Sequence, residues 1–205
     1  MTLPLQIGLT GGIGTGKSTA AAEFRRHGAE IIVGDDLGRQ ALEGTPHLLE
    51  QVRARFGSDV FHADGSLNRR ELGRRVFSDV PEARWLTELT FPPIWQLYRK
   101  AVSGSRSDVV VFDAAMIFEW GIEEEFDLVV LVTADIENVI KRVSVSGRLS
   151  ETEVRSRINQ QIPIALKMAE ADCILLNDGT AVDLRTQIDR FWDERIEPEL
   201  IRRRK

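Results

Sequence analysis

The chain has 205 residues, 42% hydrophobic and 29% charged. That size suits one domain with room for an inserted subdomain, and that composition excludes a disordered chain. The formal net charge of −5 argues against a nucleic-acid backbone as partner, because such binding relies on clustered Lys and Arg.

In chain order, Leu5–Thr10 reads as a strand leading into a glycine-rich turn. Lys17–Arg26 has helical character, with Gly28 placed as a helix-ending glycine, and Glu30–Val33 is a second strand. This β-loop-α-β opening is the unit of a parallel sheet. The stretch from about 37 to 102 reads as largely helical, with a turn at Asp64-Gly65 and a break between two helical pieces at Pro92-Pro93. Val109–Phe112, ending at Asp113, and Leu128–Val132 are unbroken apolar strands, as expected in a sheet covered on both faces. Ile136, Val139, Ile140 and Val143 form a helical stripe, and an arginine-bearing polar stretch follows over about 144–160. Cys173–Leu176 is the last strand, followed by a helix carrying Leu184, Ile188, Phe191 and Trp192 on one face. The single cysteine, Cys173, leaves no internal disulfide and reads as a small buried hydrophobe. His27, His47 and His62 lack metal-ligand spacing, no apolar run reaches membrane-span length, and the basic run Arg202–Lys205 suits a helix end.

Gly11-Gly12-Ile13-Gly14-Thr15-Gly16-Lys17-Ser18 fits G-x-x-x-x-G-K-[ST] in full, with a strand before it and a helix beginning within it. Glycines allow the tight turn that aims backbone N–H groups at phosphate oxygens, and the helix N-terminus adds its positive pole. Gly12, Gly14, Thr15, Gly16, Lys17, Ser18 and Thr19 are therefore the expected ATP-binding residues, with Lys17 reaching the β- and γ-phosphates and Ser18 holding Mg²⁺. Asp113 at a strand end fits a Walker-B acid that supports the metal or faces the substrate. Asp35, just after the second strand, is either a carboxylate that takes a hydroxyl proton or a cap for a helix starting near Leu37. Arg142, Arg148, Arg155 and Arg157 are either arginines of a lid over ATP or a solvated, salt-bridged face. Asp35-Asp36-Leu37-Gly38 matches a GTPase-like D-x-x-G, but no guanine-reading Asn-Lys-x-Asp accompanies it.

From Ile7 to about Gly179 the chain resembles the dephospho-coenzyme A kinase family. The resemblance rests on Gly8–Thr19, Asp64–Leu72, Val76–Asp79, Leu149–Glu151, Arg157-Ile158 with Gln161, Ala171-Asp172 and Asn177–Gly179. It implies transfer of the ATP γ-phosphate to the ribose 3′-hydroxyl of dephospho-coenzyme A. It also implies a P-loop α/β three-layer fold with a parallel sheet, an inserted helical substrate-binding region (about 37–102) and a lid (about 144–160), within one domain of 1–205. By the same resemblance Asp35 is the catalytic aspartate beside Lys17, Arg70 and Asp113 face the substrate, Arg142 and Asn177 serve ATP, and Arg148 belongs to the lid. The chain departs from the family pattern at Val33-Gly34-Asp35, at Phe91-Pro92, at Asp113–Ile117 and at Met168.

The expected protein is a cytoplasmic kinase using ATP and Mg²⁺ on a small molecule, monomeric or a small homo-oligomer, with neither nucleic acid nor membrane as partner. Two other readings compete with it: a P-loop kinase of another nucleotide or metabolite hydroxyl, and a non-catalytic ATP-binding regulatory protein.

Overall fold

The computed structural model describes residues 3–76, 79–145, 150–159 and 161–204. In order the elements are β1 (Leu5–Thr10), α1 (Lys17–Arg26), β2 (Glu30–Val33), α2 (Gly34–Gly44), α3 (Pro46–Phe56), α4 (Arg69–Val76), α5 (Val80–Gly104), β3 (Val109–Asp113), α6 (Ile117–Trp120), β4 (Leu128–Thr133), α7 (Ile136–Val145), α8 (Glu151–Asn159), α9 (Ile164–Glu170), β5 (Cys173–Leu176), α10 (Ala181–Phe191) and, after a π turn at Trp192–Ile196, α11 (Glu197–Arg203). They form two compact units, Met1–Gly34 with Ala101–Lys205, and Asp35–Lys100.

The first unit is built on a parallel sheet in the order β2-β3-β1-β4-β5. Strand residues alternate between two covered faces. Leu5, Ile7, Leu9, Val109, Val111, Val130 and Val132 face Ala20, Ala21 and Phe24 of α1 and Leu184, Ile188 and Phe191 of α10. On the other face Phe112 stacks on Trp120 and Phe126, at 6.3 and 6.0 Å between ring centroids. Burial on both sides explains why β3 and β4 carry no polar alternation. The helix α1 stops where Gly28 N–H returns to Arg25 O and Ala29 N–H to Phe24 O, at 2.9 and 3.1 Å. Cys173 is half-buried against this core, and burial pushes its thiol up to about 11, so it is a poor nucleophile at neutral pH.

The register brings Leu9 and Val33 opposite Asp113, Thr10 opposite Leu131, and Thr133 opposite Leu176. The carboxyl ends of the strands thus form one edge, and the connection from β3 to β4 crosses to the other side of β1 there. Open parallel sheets bind ligands at such a reversal.

The second unit has its own core of Leu42, Leu48, Val52, Phe56, Val60, Leu72 and Val76, with Trp85 packed against it. Ser66 N–H and Oγ both donate to Asp64 Oδ1, which fixes the Asp64-Gly65 turn and draws the Asp64 carboxyl below its usual range. On α4, Arg74 and Arg75 hold the Glu71 carboxyl down at about 2.

Two sequence expectations are corrected. Pro92-Pro93 does not separate two helices, because α5 runs through both prolines. The Thr90 hydroxyl donates to Leu86 O at 2.8 Å, and Phe91, Trp95 and Tyr98 stack in series along the helix. Ile94 and Tyr98 of the helix are buried, and this lateral packing offsets part of the cost of the two missing N–H donors. The helix expected near Leu37 begins at Gly34, with Asp35 and Asp36 in its first turn, where carboxylates complement the positive helix pole.

A Cβ at Gly8 would lie 2.9 Å from both Ile117 Cδ1 and Phe126 Cδ2. Gly8→Val should therefore lower unfolding stability by about 1–3 kcal/mol through overpacking. Urea denaturation of the two proteins checks this, and an unchanged midpoint contradicts the packing described.

Candidate active site

The phosphate loop joins the end of β1 to the start of α1. Gly14 (φ 70°) and Gly16 (φ 97°) adopt left-handed backbone that favours glycine, and each also lacks space for a side chain. A Cβ at Gly14 would sit 2.6 Å from Val143 Cγ2 of α7, and one at Gly16 would collide with the Asn177 carboxamide. The Thr15 hydroxyl donates to Gly12 O at 2.9 Å, closing the turn internally. Ile13 packs against Val139, Ile140 and Val143 of α7 and Val154 of α8, so the loop tip leans on a small apolar cluster.

Asn177 clasps the loop from the far end of the unit. Its backbone N–H donates to Thr133 O at 2.8 Å, continuing the β4–β5 ladder one step past β5. Its side-chain Nδ2 donates to Thr15 O at 2.8 Å. Its own carbonyl accepts from the Arg142 guanidinium at 2.6 Å. Next to it, Asp178 accepts from Asn138 Nδ2 and from Asp135 N–H, which holds its carboxyl below the usual range. Arg142 NH1 is buried with no hydrogen-bond partner among the described residues, which leaves a charged donor available beside the loop.

Lys17, the first residue of α1, pairs its ammonium with the Asp113 carboxylate at the end of β3. Asp113 is buried, with 7% side-chain exposure against 20% for Lys17. Ser18 and Thr19 follow in the exposed first turn of α1. Gly34 closes against Ala114, since a Cβ there would meet Ala114 Cβ at 3.0 Å. The sequence Val33-Gly34 at the end of β2 thus matches the Asp113-Ala114 that it pairs beside.

The sequence-predicted residues fall into three groups. Gly12, Gly14, Thr15, Gly16, Lys17, Ser18, Thr19, Asp113, Arg142 and Asn177 lie in the first unit, with Lys17 on Asp113 and Arg142 and Asn177 on the loop. Asp35 and Arg70 lie in the second unit, exposed in the first turns of α2 and α4 and without a hydrogen-bond or ion-pair partner among the described residues. Arg148 lies outside the described residues. Of the other arginines in the polar stretch, Arg155 pairs with Glu151 and Glu137 on an exposed face, which is the solvated reading of that residue. Desolvation lowers the pKa of Arg157.

Sequence reasoning missed two contacts. Glu119 of α6 forms a buried ion pair with Lys167 of α9 at 2.6 Å. Gln161 Oε1 lies 3.4 Å from where a Gly12 Cβ would be. A lone Lys and a lone Glu 48 positions apart carry no pattern in one sequence.

The family model described as dephospho-CoA kinase matches residues 5–183. A dephospho-CoA kinase of Syntrophotalea carbinolica is 38% identical, covering 90% of this chain and 89% of its own. The dephospho-CoA kinase of Thermobifida fusca is 34% identical, covering 93% and 96%. A crystal structure from Thermus thermophilus superposes with a TM-score of 0.80 at 31% identity, covering 95% of this chain and 99% of that one. These matches span both units and the whole phosphate-loop edge, and on them the chain belongs to the dephospho-CoA kinase family.

Proposed function

We propose that Lys17, Asp35 and Asp113 carry the transfer of the ATP γ-phosphoryl group to the ribose 3′-hydroxyl of dephospho-coenzyme A. Family membership makes the chain an enzyme of the last step of coenzyme A synthesis, and neither competing reading gains support from the comparisons. The observation that supports the roles of Lys17 and Asp113 is their ion pair beside the phosphate loop at the carboxyl edge of the sheet, and the role of Asp35 follows from the family resemblance.

In this reading the backbone N–H groups of Gly14 to Thr19 receive the phosphates, and the positive pole of α1 faces them. Lys17 exchanges the Asp113 carboxylate for the β- and γ-phosphate oxygens when ATP arrives. That exchange frees Asp113. The exposed Ser18 hydroxyl and the freed Asp113 carboxylate fit Mg²⁺, which usually takes one or two protein oxygens and completes its shell with phosphates and water. Bound Mg²⁺ supplies charge neutralisation at the phosphates.

Asp35 orients the acceptor hydroxyl and takes its proton. The new bond joins that oxygen to the γ-phosphorus, the bond from the γ-phosphorus to the bridging oxygen breaks, and the electron pair leaves on ADP. Arg70 meets an acceptor phosphate, while Arg142 and Asn177 serve ATP through the loop they hold. The work is positioning and electrostatics. The single cysteine fits a reducing cytoplasm, and no helix among the described residues is long and apolar enough to cross a membrane. A monomer or small homo-oligomer is the proposed assembly.

Acceptor choice is tested by ADP release from Mg·ATP with and without dephospho-coenzyme A, with the product mass measured. Acceptor-dependent ADP and a mass gain of one phosphoryl group are expected, whereas ADP release indifferent to the acceptor sinks the reading. Asp35→Asn should lower kcat by about 10²–10⁴-fold and leave ATP affinity unchanged. Near-normal turnover in that variant removes Asp35 from the role of base.

A further inference from the structure

The buried pair of Glu119 and Lys167 has a place in the reaction that its chemistry points to. Side-chain exposure is 3% for Lys167 and 11% for Glu119. Glu119 Oε1 accepts from Lys167 Nζ at 2.6 Å and from the backbone N–H of Ile162 at 3.2 Å. Glu119 Oε2 is buried with no hydrogen-bond partner among the described residues. A buried ion pair is a weak stability device, since apolar groups of the same volume serve as well. An acceptor left without a donor adds a further cost. Stability alone therefore does not account for the pair.

What the carboxylate supplies, and an apolar side chain could not, is a charged acceptor for Ile162 N–H. Glu119 lies on α6, a short chain distance after Asp113 on β3. Ile162 lies on the segment that returns from α8 to α9, and Lys167 sits inside α9. The single oxygen Oε1 thus fixes the return segment to the Asp113 side of the sheet. The residue just before that fixed N–H is Gln161, whose carboxamide lies against Gly12 of the phosphate loop. A carboxamide offers two N–H donors beside its oxygen, and a half-turn of its last torsion exchanges them.

We infer that Gln161, from its place against Gly12, donates to the phosphates held on the loop, and that Glu119, held by Lys167, is a positioning residue that places it there. The inference rests on the phosphoryl-transfer reading above. A donor brought in from the return segment adds to the site that the loop backbone and Lys17 already form. Its loss should lower kcat more than it raises KM for ATP.

The test compares four proteins in the acceptor-dependent ADP assay, with thermal melting in parallel. Gln161→Ala leaves the buried pair intact and should lower kcat about tenfold, with KM for ATP within about twofold and an unchanged melting temperature. The double variant E119L/K167M removes both charges and the acceptor for Ile162 N–H, and should show a similar loss in kcat. E119Q/K167M keeps a carbonyl acceptor and should recover most of the turnover that E119L/K167M loses. Wild-type kcat in Gln161→Ala overturns the inference, whatever the core variants do. Equal kcat in the two double variants removes the positioning role of Glu119. A wild-type protein without acceptor-dependent turnover instead sinks the phosphoryl-transfer reading, and this inference with it.

Discussion

The phosphate loop is held in shape by side chains far from it in the sequence. Asn177, just after β5, donates to Thr15 O, and its own carbonyl is held by Arg142 from α7. The loop tip rests on the apolar cluster of α7 and α8 through Ile13. A glycine-rich turn alone would sample many conformations, and fixing each residue costs roughly 1–2 kcal/mol of backbone entropy. The clasp meets that cost during folding, so the N–H donors are already aimed when phosphate arrives. Preorganisation of this kind is the main way in which a protein stabilises developing charge.

The sheet explains why the clasp can form. Both faces are covered, so β1 and β3 lie fixed side by side, and the register sets Leu9 beside Asp113. Asp113 then meets Lys17 across the loop. The β4–β5 ladder continues into Asn177 N–H on Thr133 O, which delivers the carboxamide to the loop. The same strand ends that close the core therefore place the charged groups. The two crowded glycines follow from this closeness, since Gly14 touches Val143 and Gly16 touches Asn177.

Much of this was legible in the sequence because the signals are local. The unbroken apolar runs gave β3 and β4, and the loop pattern fixed Lys17 and Ser18 by spacing alone. Asp113 stood out because it ends an apolar strand, and Asp35 because it comes just after one. The through-running α5 was not legible, because two prolines ordinarily end a helix and the burial of Ile94 and Tyr98 that holds it is a tertiary effect. The start of α2 at Gly34 was missed for a similar reason: a strand passing directly into a helix leaves no loop signal. From residue patterns alone Arg155 and Arg142 could not be separated, since only the fold shows that one faces Glu137 and Glu151 and the other Asn177, the side to which the family resemblance had assigned Arg142. Glu119 with Lys167 was invisible because each residue alone reads as an ordinary surface charge.

The clasp on the phosphate loop is tested most directly by titrating ATP into Asn177→Ala and into the wild-type protein, with heat of binding as the readout. The account predicts affinity weakened by about tenfold, roughly the 1.4 kcal/mol of one lost hydrogen bond from the Asn177 carboxamide to Thr15 O, with the fold intact. Unchanged ATP affinity in a well-folded Asn177→Ala would contradict it, and would mean that the loop holds its shape without Asn177.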